Sequence, residues 1–329
     1  MITTTDQGLA GFVPVRARPA IRTAYARPLL TANRLAAPLL VRPDSPPPDE
    51  FEFLPGLVTV GEVGEYACRL AEAGVGGVKI FATDAAGDVS GSGALNPDGP
   101  MVAAVRAVKR AAPALMVTTE VCGCAWTSDH ECVLTHDADG APASSSATLG
   151  LTLDYLSRVA VLHASSGADQ VSPTAMLPGA VSAVRAALDE AGHFGVSVNP
   201  NIAVHSVLYQ AFKTTMGTDP ERGHRRGFQL EPSEAARQGV ACARAWIDEG
   251  ADALTVQPAL GNVDVITAIR AALPGVPITA YSVSGEYAAL SKLGPAGSTE
   301  YHVGLARAGA DVVLSFAAED VADHLGGPR

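Results

Sequence analysis

Lysine is scarce in this chain of 329 residues: only Lys79, Lys109, Lys213 and Lys292 occur. Any chemistry that needs a primary amine therefore has four candidates. Basic residues are outnumbered, 23 Lys and Arg against 34 Asp and Glu, for a formal net charge of −11. That balance excludes a nucleic-acid partner, whose phosphates require a basic face. Aromatic residues are 5%, so Ala, Val and Leu must fill most of the core. No apolar run reaches the ~18 residues of a membrane span, and no basic stretch followed by an apolar one suggests a secretory leader. Five cysteines are an odd number, and Cys122, Cys124 and Cys132 crowd together. Such spacing suits a metal better than a disulfide framework and implies a reducing, cytoplasmic setting.

Hydrophobic residues are 47% and charged residues 17%, enough for one large core. Residues 1–50 are rich in Arg and Pro and end in Pro46-Pro47-Pro48. They read as an extended N-terminal arm, packed on a neighbouring subunit or disordered, and residues 51–329 as one domain. Short β-rich runs then alternate with Ala-rich stretches of helical period. Strands are expected at 38–41, 76–81, 115–120, 169–172, 196–199, 253–257, 277–281 and 312–316, the first already belonging to the domain. Helices are expected near 61–73, 98–111, 148–165, 179–191, 232–248, 262–272 and 298–308. Gly-Ala-Asp recurs at 167–169, 250–252 and 309–311, each Gly suited to closing a helix before a strand. The class is α/β and the architecture a closed (β/α)8 TIM barrel. An open doubly wound sheet is the runner-up, but no Gly-x-Gly-x-x-Gly turn follows the first strand.

The expected strand 115–120 runs into Glu120-Val121-Cys122-Gly123-Cys124, with Cys132 eight residues on. Three thiolates around one Zn2+ leave a fourth position open, the arrangement of a catalytic site. Asp129, His130 and Glu131 can support or replace a ligand. The competing reading is three incidental buried thiols. Cys68 and Cys242 read as helix core, the remaining histidines as structural or exposed, and Ser144-Ser145-Ser146 as a mobile loop.

These segments resemble the porphobilinogen synthase (5-aminolevulinate dehydratase) family over roughly residues 27–320. The likeness is carried by Asn96-Pro97-Asp98-Gly99, by Cys122-x-Cys124-x-x-Thr127-Ser128, by Arg225-Arg226-Gly227-Phe228-Gln229-Leu230 and by Val283-Ser284-Gly285-Glu286-Tyr287. The resemblance implies a TIM barrel, an arm embracing a neighbour, a homo-oligomer, usually an octamer, and condensation of two aminolevulinate molecules to a pyrrole. It matches Cys122, Cys124 and Cys132 to zinc ligands and Arg225 (or Arg226) to a lid arginine that holds a substrate carboxylate. Lys213 stands where a second arginine would be, and Tyr209, Gln229 and Ser284 match pocket residues. Glu120 replaces an aspartate, Thr174-Ala175 a Ser-Asp pair, and Phe316 a tyrosine. The family's two imine-forming lysines are missing. The Val-Lys-Pro motif reads Val256-Gln257-Pro258, and the first lysine falls on Ala203, or with a gap on Asn201. Neither an amide nor a methyl can form an imine.

Lys79, inside an expected strand, is the lysine able to point into the barrel, where burial would lower its pKa and free it as a nucleophile. Its other reading is a lysine that snorkels outward or pairs with Asp84 or Asp98. Lys109 reads as solvated. The main functional reading is a zinc-dependent lyase, dehydratase or condensing enzyme. It would act on a small carboxylate-bearing keto or amino acid by an imine-independent route. The alternatives are ordinary porphobilinogen synthase and a non-catalytic binding or regulatory protein.

Overall fold

The computed structural model describes residues 30–43, 54–84, 87–137, 140–221 and 223–326. The expected N-terminal arm falls largely outside them. Ten strands are seen among these residues: β1 (Leu35–Arg42), β2 (Leu57–Thr59), β3 (Gly77–Ala82), β4 (Met116–Val121), β5 (Gln170–Pro173), β6 (Ser197–Val198), β7 (Asn201–Ala203), β8 (Leu254–Gln257), β9 (Ile278–Ser282) and β10 (Val312–Ser315). All pairings between them are parallel, in the order β6-β5-β4-β3-β1-β10-β9-β8-β7, with the short β2 added beside β1.

That order closes on itself, because β6 and β7 are two halves of one strand. Ser197 and Val198 pair with β5, and Asn201 to Ala203 pair with β8. Between them Asn199 donates its amide to Val171, while Pro200, which has no N–H, only accepts from Thr255. The eight expected strands are thus the eight staves of a TIM barrel, the fifth interrupted at a proline.

Helices α1 (Val63–Glu72), α2 (Pro100–Ala111), α3 (Ser145–Ser166), α4 (Ala180–Glu190), α5 (Gln210–Met216), α6 (Ala235–Asp248), α7 (Val263–Ala272), α8 (Ser284–Leu290), α9 (Gly294–Ala308) and α10 (Ala318–Gly326) follow the strands. Ser145 opens α3, so that part of the Ser144–Ser146 run is helical rather than loop. Cys68 and Cys242 are half-buried rather than core.

The Gly-Ala-Asp repeat has a structural cause. Gly167, Gly250 and Gly309 take φ of 110°, 101° and 124°, closing three helices in a conformation that side chains resist. Each following carboxylate then accepts a backbone N–H from the strand beside it: Asp169 from Val117, Asp252 from Val198, and Asp311 from Ile278. Asp169 also pairs with Lys109, which is therefore not simply solvated.

Side chains alternate between the barrel interior and the helix layer. Val78, Ile80, Val117, Val171, Ile202, Leu254 and Val256 face the helices and are fully buried. The interior is polar in its lower part. Thr118 donates to Gln170 at 3.0 Å, Asn199 to Gln170 at 2.8 Å, and Thr255 to Asn199 at 3.0 Å. Branched aliphatic layers are the usual filling there, so this network marks an interior built to hold something polar.

Candidate active site

What it holds is Lys79. The side chain is 2% exposed. Its Nζ donates to Ser172 Oγ at 2.9 Å and to Asn201 Oδ1 at 3.2 Å, crossing from β3 toward β7. Neither outward snorkelling nor pairing with Asp84 or Asp98 describes it, and no ion pair to it is seen among the described residues. Burial pushes the ammonium down to about 8, against the opposing pull of Glu120 and Cys122. The folded chain then releases this proton about two units below the unfolded chain, whose lysine titrates near 10.4. Between those values the unfolded state binds more protons, so stability climbs with pH. Lys79→Met removes that slope. The melting temperature of the variant minus that of the parent is expected to fall as pH rises from about 7.5 to about 10, measured by calorimetry.

One step further along each strand, Phe81, Glu120, Thr174, Ala203, Gln257 and Tyr281 line a cavity at the C-terminal mouth of the barrel. Ala203 and Gln257 are registered partners on β7 and β8. Asn201 lies one layer deeper, bonded to Lys79. The cavity wall at the expected first-lysine position is therefore Ala203.

The cysteine loop closes one side. Gly123 O accepts from Trp126 and Thr127, Thr127 Oγ1 donates to Glu131 O, and Asp129 accepts from Glu131 N and Thr135 Oγ1. With His130 at φ 54°, a left-handed residue other than glycine, the loop turns back and returns Cys132 to its partners. The three Sγ atoms lie within 4.8 Å of one another and are buried; Cys122 and Cys124 are 3.4 Å apart. Zn–S bonds of ~2.3 Å in a tetrahedron place sulfurs just under ~4 Å apart, so the trio fits that ion. Cys122 and Cys124 both hydrogen-bond to Cys132 and hold it well below the usual thiol range. Cys124 is pushed up to about 11: the bond from Cys122 lowers it, but the bond to Cys132 and burial outweigh that.

Arg225 faces this cluster. It donates to His130 O at 3.0 Å and to Thr218 O. Burial works against its charge, but the Cys124, Cys132 and Cys122 sulfurs outweigh that cost. Arg226 instead points to the surface beside Glu231. Lys213, on α5, lines the cavity and reaches Asp219 at 3.5 Å. Gln229 is steadied by His205 at 3.1 Å, and Tyr209 donates to Val204 O at 3.2 Å. Burial pushes Glu120 up to about 8 despite Lys79, Arg225 and a Thr174 hydrogen bond.

Three expected site residues stand behind the cavity wall rather than on it. Lys79 lies beneath the floor. Ser284 is fully buried and its Oγ accepts the Phe212 amide at 3.0 Å, anchoring α5. Phe316 packs on Tyr281 and Tyr287, with ring centres 6.5 and 6.2 Å away. Conversely Phe81, Thr218, Tyr281 and Val283 line the cavity without having been singled out. The in-out alternation of β3 and β9 was the signal for Phe81 and Tyr281. The open space is about 70 Å³, roughly two waters' worth. Gly285 packs tightly on the turn before α5: a Cβ there would meet Leu208 O at 2.5 Å. Gly285→Ala is expected to cost about 1–3 kcal/mol in chemical denaturation.

Known proteins fit this geometry. The family model described as delta-aminolevulinic acid dehydratase matches residues 13–324. The delta-aminolevulinic acid dehydratase of Halalkalibacterium halodurans is 31% identical, covering 94% of this chain and 95% of the relative. That of Methanothermobacter thermautotrophicus is 35% identical, covering 83% and 82%. Among solved structures, the Toxoplasma gondii porphobilinogen synthase in complex with its product porphobilinogen superposes with a TM-score of 0.81 at 28% identity, covering 95% of this chain and 92% of that one.

Proposed function

We infer the function from one premise: this chain belongs to the delta-aminolevulinic acid dehydratase family. The activity is a lyase reaction on a small amino or keto acid, and the cavity at the barrel mouth is where it occurs. The observation that carries this is the juxtaposition of three clustered thiols with Arg225 and Lys213 around one cavity. Cys122, Cys124 and Cys132 hold Zn2+, which when bound supplies Lewis-acid polarisation of a substrate carbonyl or acidifies a water. Lys213 and Arg225 hold the substrate carboxylate, Lys213 as a point charge and Arg225 as a fork. Gln229 and Tyr209 orient the bound acid. Gln257 offers amide hydrogen bonds where the family pattern has an amine. Glu120 is the carboxyl group on the cavity wall placed to exchange a proton with substrate. Lys79 places a cation beneath the floor, which favours negative charge developing above it.

On this reading the route needs no imine, since Ala203 and Gln257 cannot form one. A second reading is the ordinary dehydratase reaction on 5-aminolevulinate, and the full-length similarity to dehydratases favours it. It requires an amine from elsewhere. Lys79 is the buried candidate, bonded to Asn201 two residues before Ala203 on the same strand. Incubating the zinc-loaded protein with 5-aminolevulinate and assaying for a pyrrole separates the two. The imine-independent reading expects none, and pyrrole formation establishes the second. Family membership also leads us to propose a homo-oligomer, of octamer size, in a reducing cytoplasm.

A further inference from the structure

A second cavity lies on the other side of α8, between the outer wall of β9 and β10 and helix α9. It measures about 160 Å³ and is lined by Ser282, Tyr287, Ser298, His302, Ser315 and Asp320, among others. That is space for roughly five waters.

Its chemistry is acceptor-rich. His302 is 1% exposed, and its Nδ1 lies 2.6 Å from Ser298 O. A carbonyl can only accept, so Nδ1 carries the proton and neutral His302 presents a bare Nε2 lone pair. Burial lowers the pKa of His302, which keeps it neutral. Neither Nε2 nor Ser298 Oγ has a hydrogen-bond partner among the described residues. Asp320 stands exposed at the rim, and among the described residues no Lys or Arg lines the space. The rim carboxylate and the unpartnered lone pair favour a cation bearing N–H donors over an anion. The histidine lone pair favours an N–H donor over a bare alkali ion.

Helix α8 joins this cavity to the active site. Glu286 accepts from Tyr301 of α9 at 2.6 Å, and Tyr287 lines the cavity. On the opposite flank Ser284 anchors the Phe212 amide of α5, and Gly285 packs on Leu208.

We propose that this second cavity binds a small protonated amine, between Asp320 at the rim and His302 at its base, and that the bound amine steadies α8 and with it the α5 segment that carries Lys213. The binding half stands independently of the activity assigned above.

Titration calorimetry of the full-length, zinc-loaded protein with methylammonium chloride tests it, against potassium chloride at equal ionic strength. The expected result is saturable binding with a dissociation constant on the order of millimolar, the reach of a ligand with two heavy atoms. Asp320→Asn, at an exposed rim position, is expected to weaken it about tenfold or more, and His302→Phe to abolish it. Hydrogen exchange in 208–216 is expected to slow on binding. An equal response to potassium leaves an ion effect and overturns the amine assignment. So does binding unchanged in Asp320→Asn, or no saturable heat. Binding with unchanged exchange at 208–216 overturns the coupling to α5. None of these readouts depends on turnover, so failure here and failure of the lyase reading are distinguishable.

Discussion

Replacing Cys122 and Cys124 together with Ala is expected to take the protein from about one tightly bound zinc per chain to none. The three sulfurs are within 4.8 Å of one another and buried, so the parent presents a nearly formed ligand set. Binding of structural zinc in small domains releases on the order of 10–16 kcal/mol, most of it from thiolate and imidazole bonds. One remaining thiolate retains little of that. The substitutions themselves are mild, since a buried Cys packs as a small apolar side chain. Elemental analysis after exhaustive dialysis reads the result, and circular dichroism confirms that the variant folds. Zinc retained by the double variant places the metal elsewhere. No zinc in the freshly purified parent makes the cysteines buried thiols.

The second large effect is a gain. Gln257→Lys is expected to create an imine-forming site where the parent has none. Position 257 ends β8, is 7% exposed and lines the cavity beside Ala203. An amine there is desolvated and near Arg225 and Lys213, both of which lower its pKa and expose the free base. With 5-aminolevulinate and borohydride, the variant is expected to acquire one reduced adduct mapping to residue 257 by mass spectrometry. Absence of an adduct in a folded variant means that the cavity does not bring a ketone to β8, and the assignment of this cavity as the substrate site fails.

The barrel was legible because parallel strands buried on both faces read as short apolar runs, separated by amphipathic helices closed by Gly-Ala-Asp. The break in the fifth strand was not, because Asn199-Pro200 reads as a strand end, whereas the interruption lets one strand pair with both neighbours. The closeness of Cys122 and Cys124 was legible from Cys-x-Cys, since close sequence spacing forces spatial closeness, whereas the return of Cys132 to them depends on the turn at His130. Lys79 was half legible. Alternation placed it inside, but only the folded barrel brings Ser172 and Asn201 to receive it beneath the floor rather than in the cavity itself. Ser284 and Phe316 were assigned to the pocket from resemblance, and lie one contact behind it because α8 presents Ser284 to α5 while the end of β10 presents Phe316 to Tyr281. Arg225 and Arg226 are neighbours in sequence, and only the fold of the lid turns one to the thiols and the other to Glu231. His205 carried no signal, since its role is a hydrogen bond to Gln229, 24 residues away.

The imine-independent route is tested most directly on the unaltered chain. The zinc-loaded parent is incubated with 5-aminolevulinate, reduced with borohydride and mapped at Lys79, Lys109, Lys213 and Lys292. All four are expected to remain unmodified, because the strand ends that face the cavity carry Ala203 and Gln257, and Lys213 on the cavity lining is paired with Asp219 and placed to hold the carboxylate. A reduced adduct on Lys79 would contradict that reading, make the amine beneath the floor the nucleophile, and return the chain to the ordinary dehydratase reaction of its family.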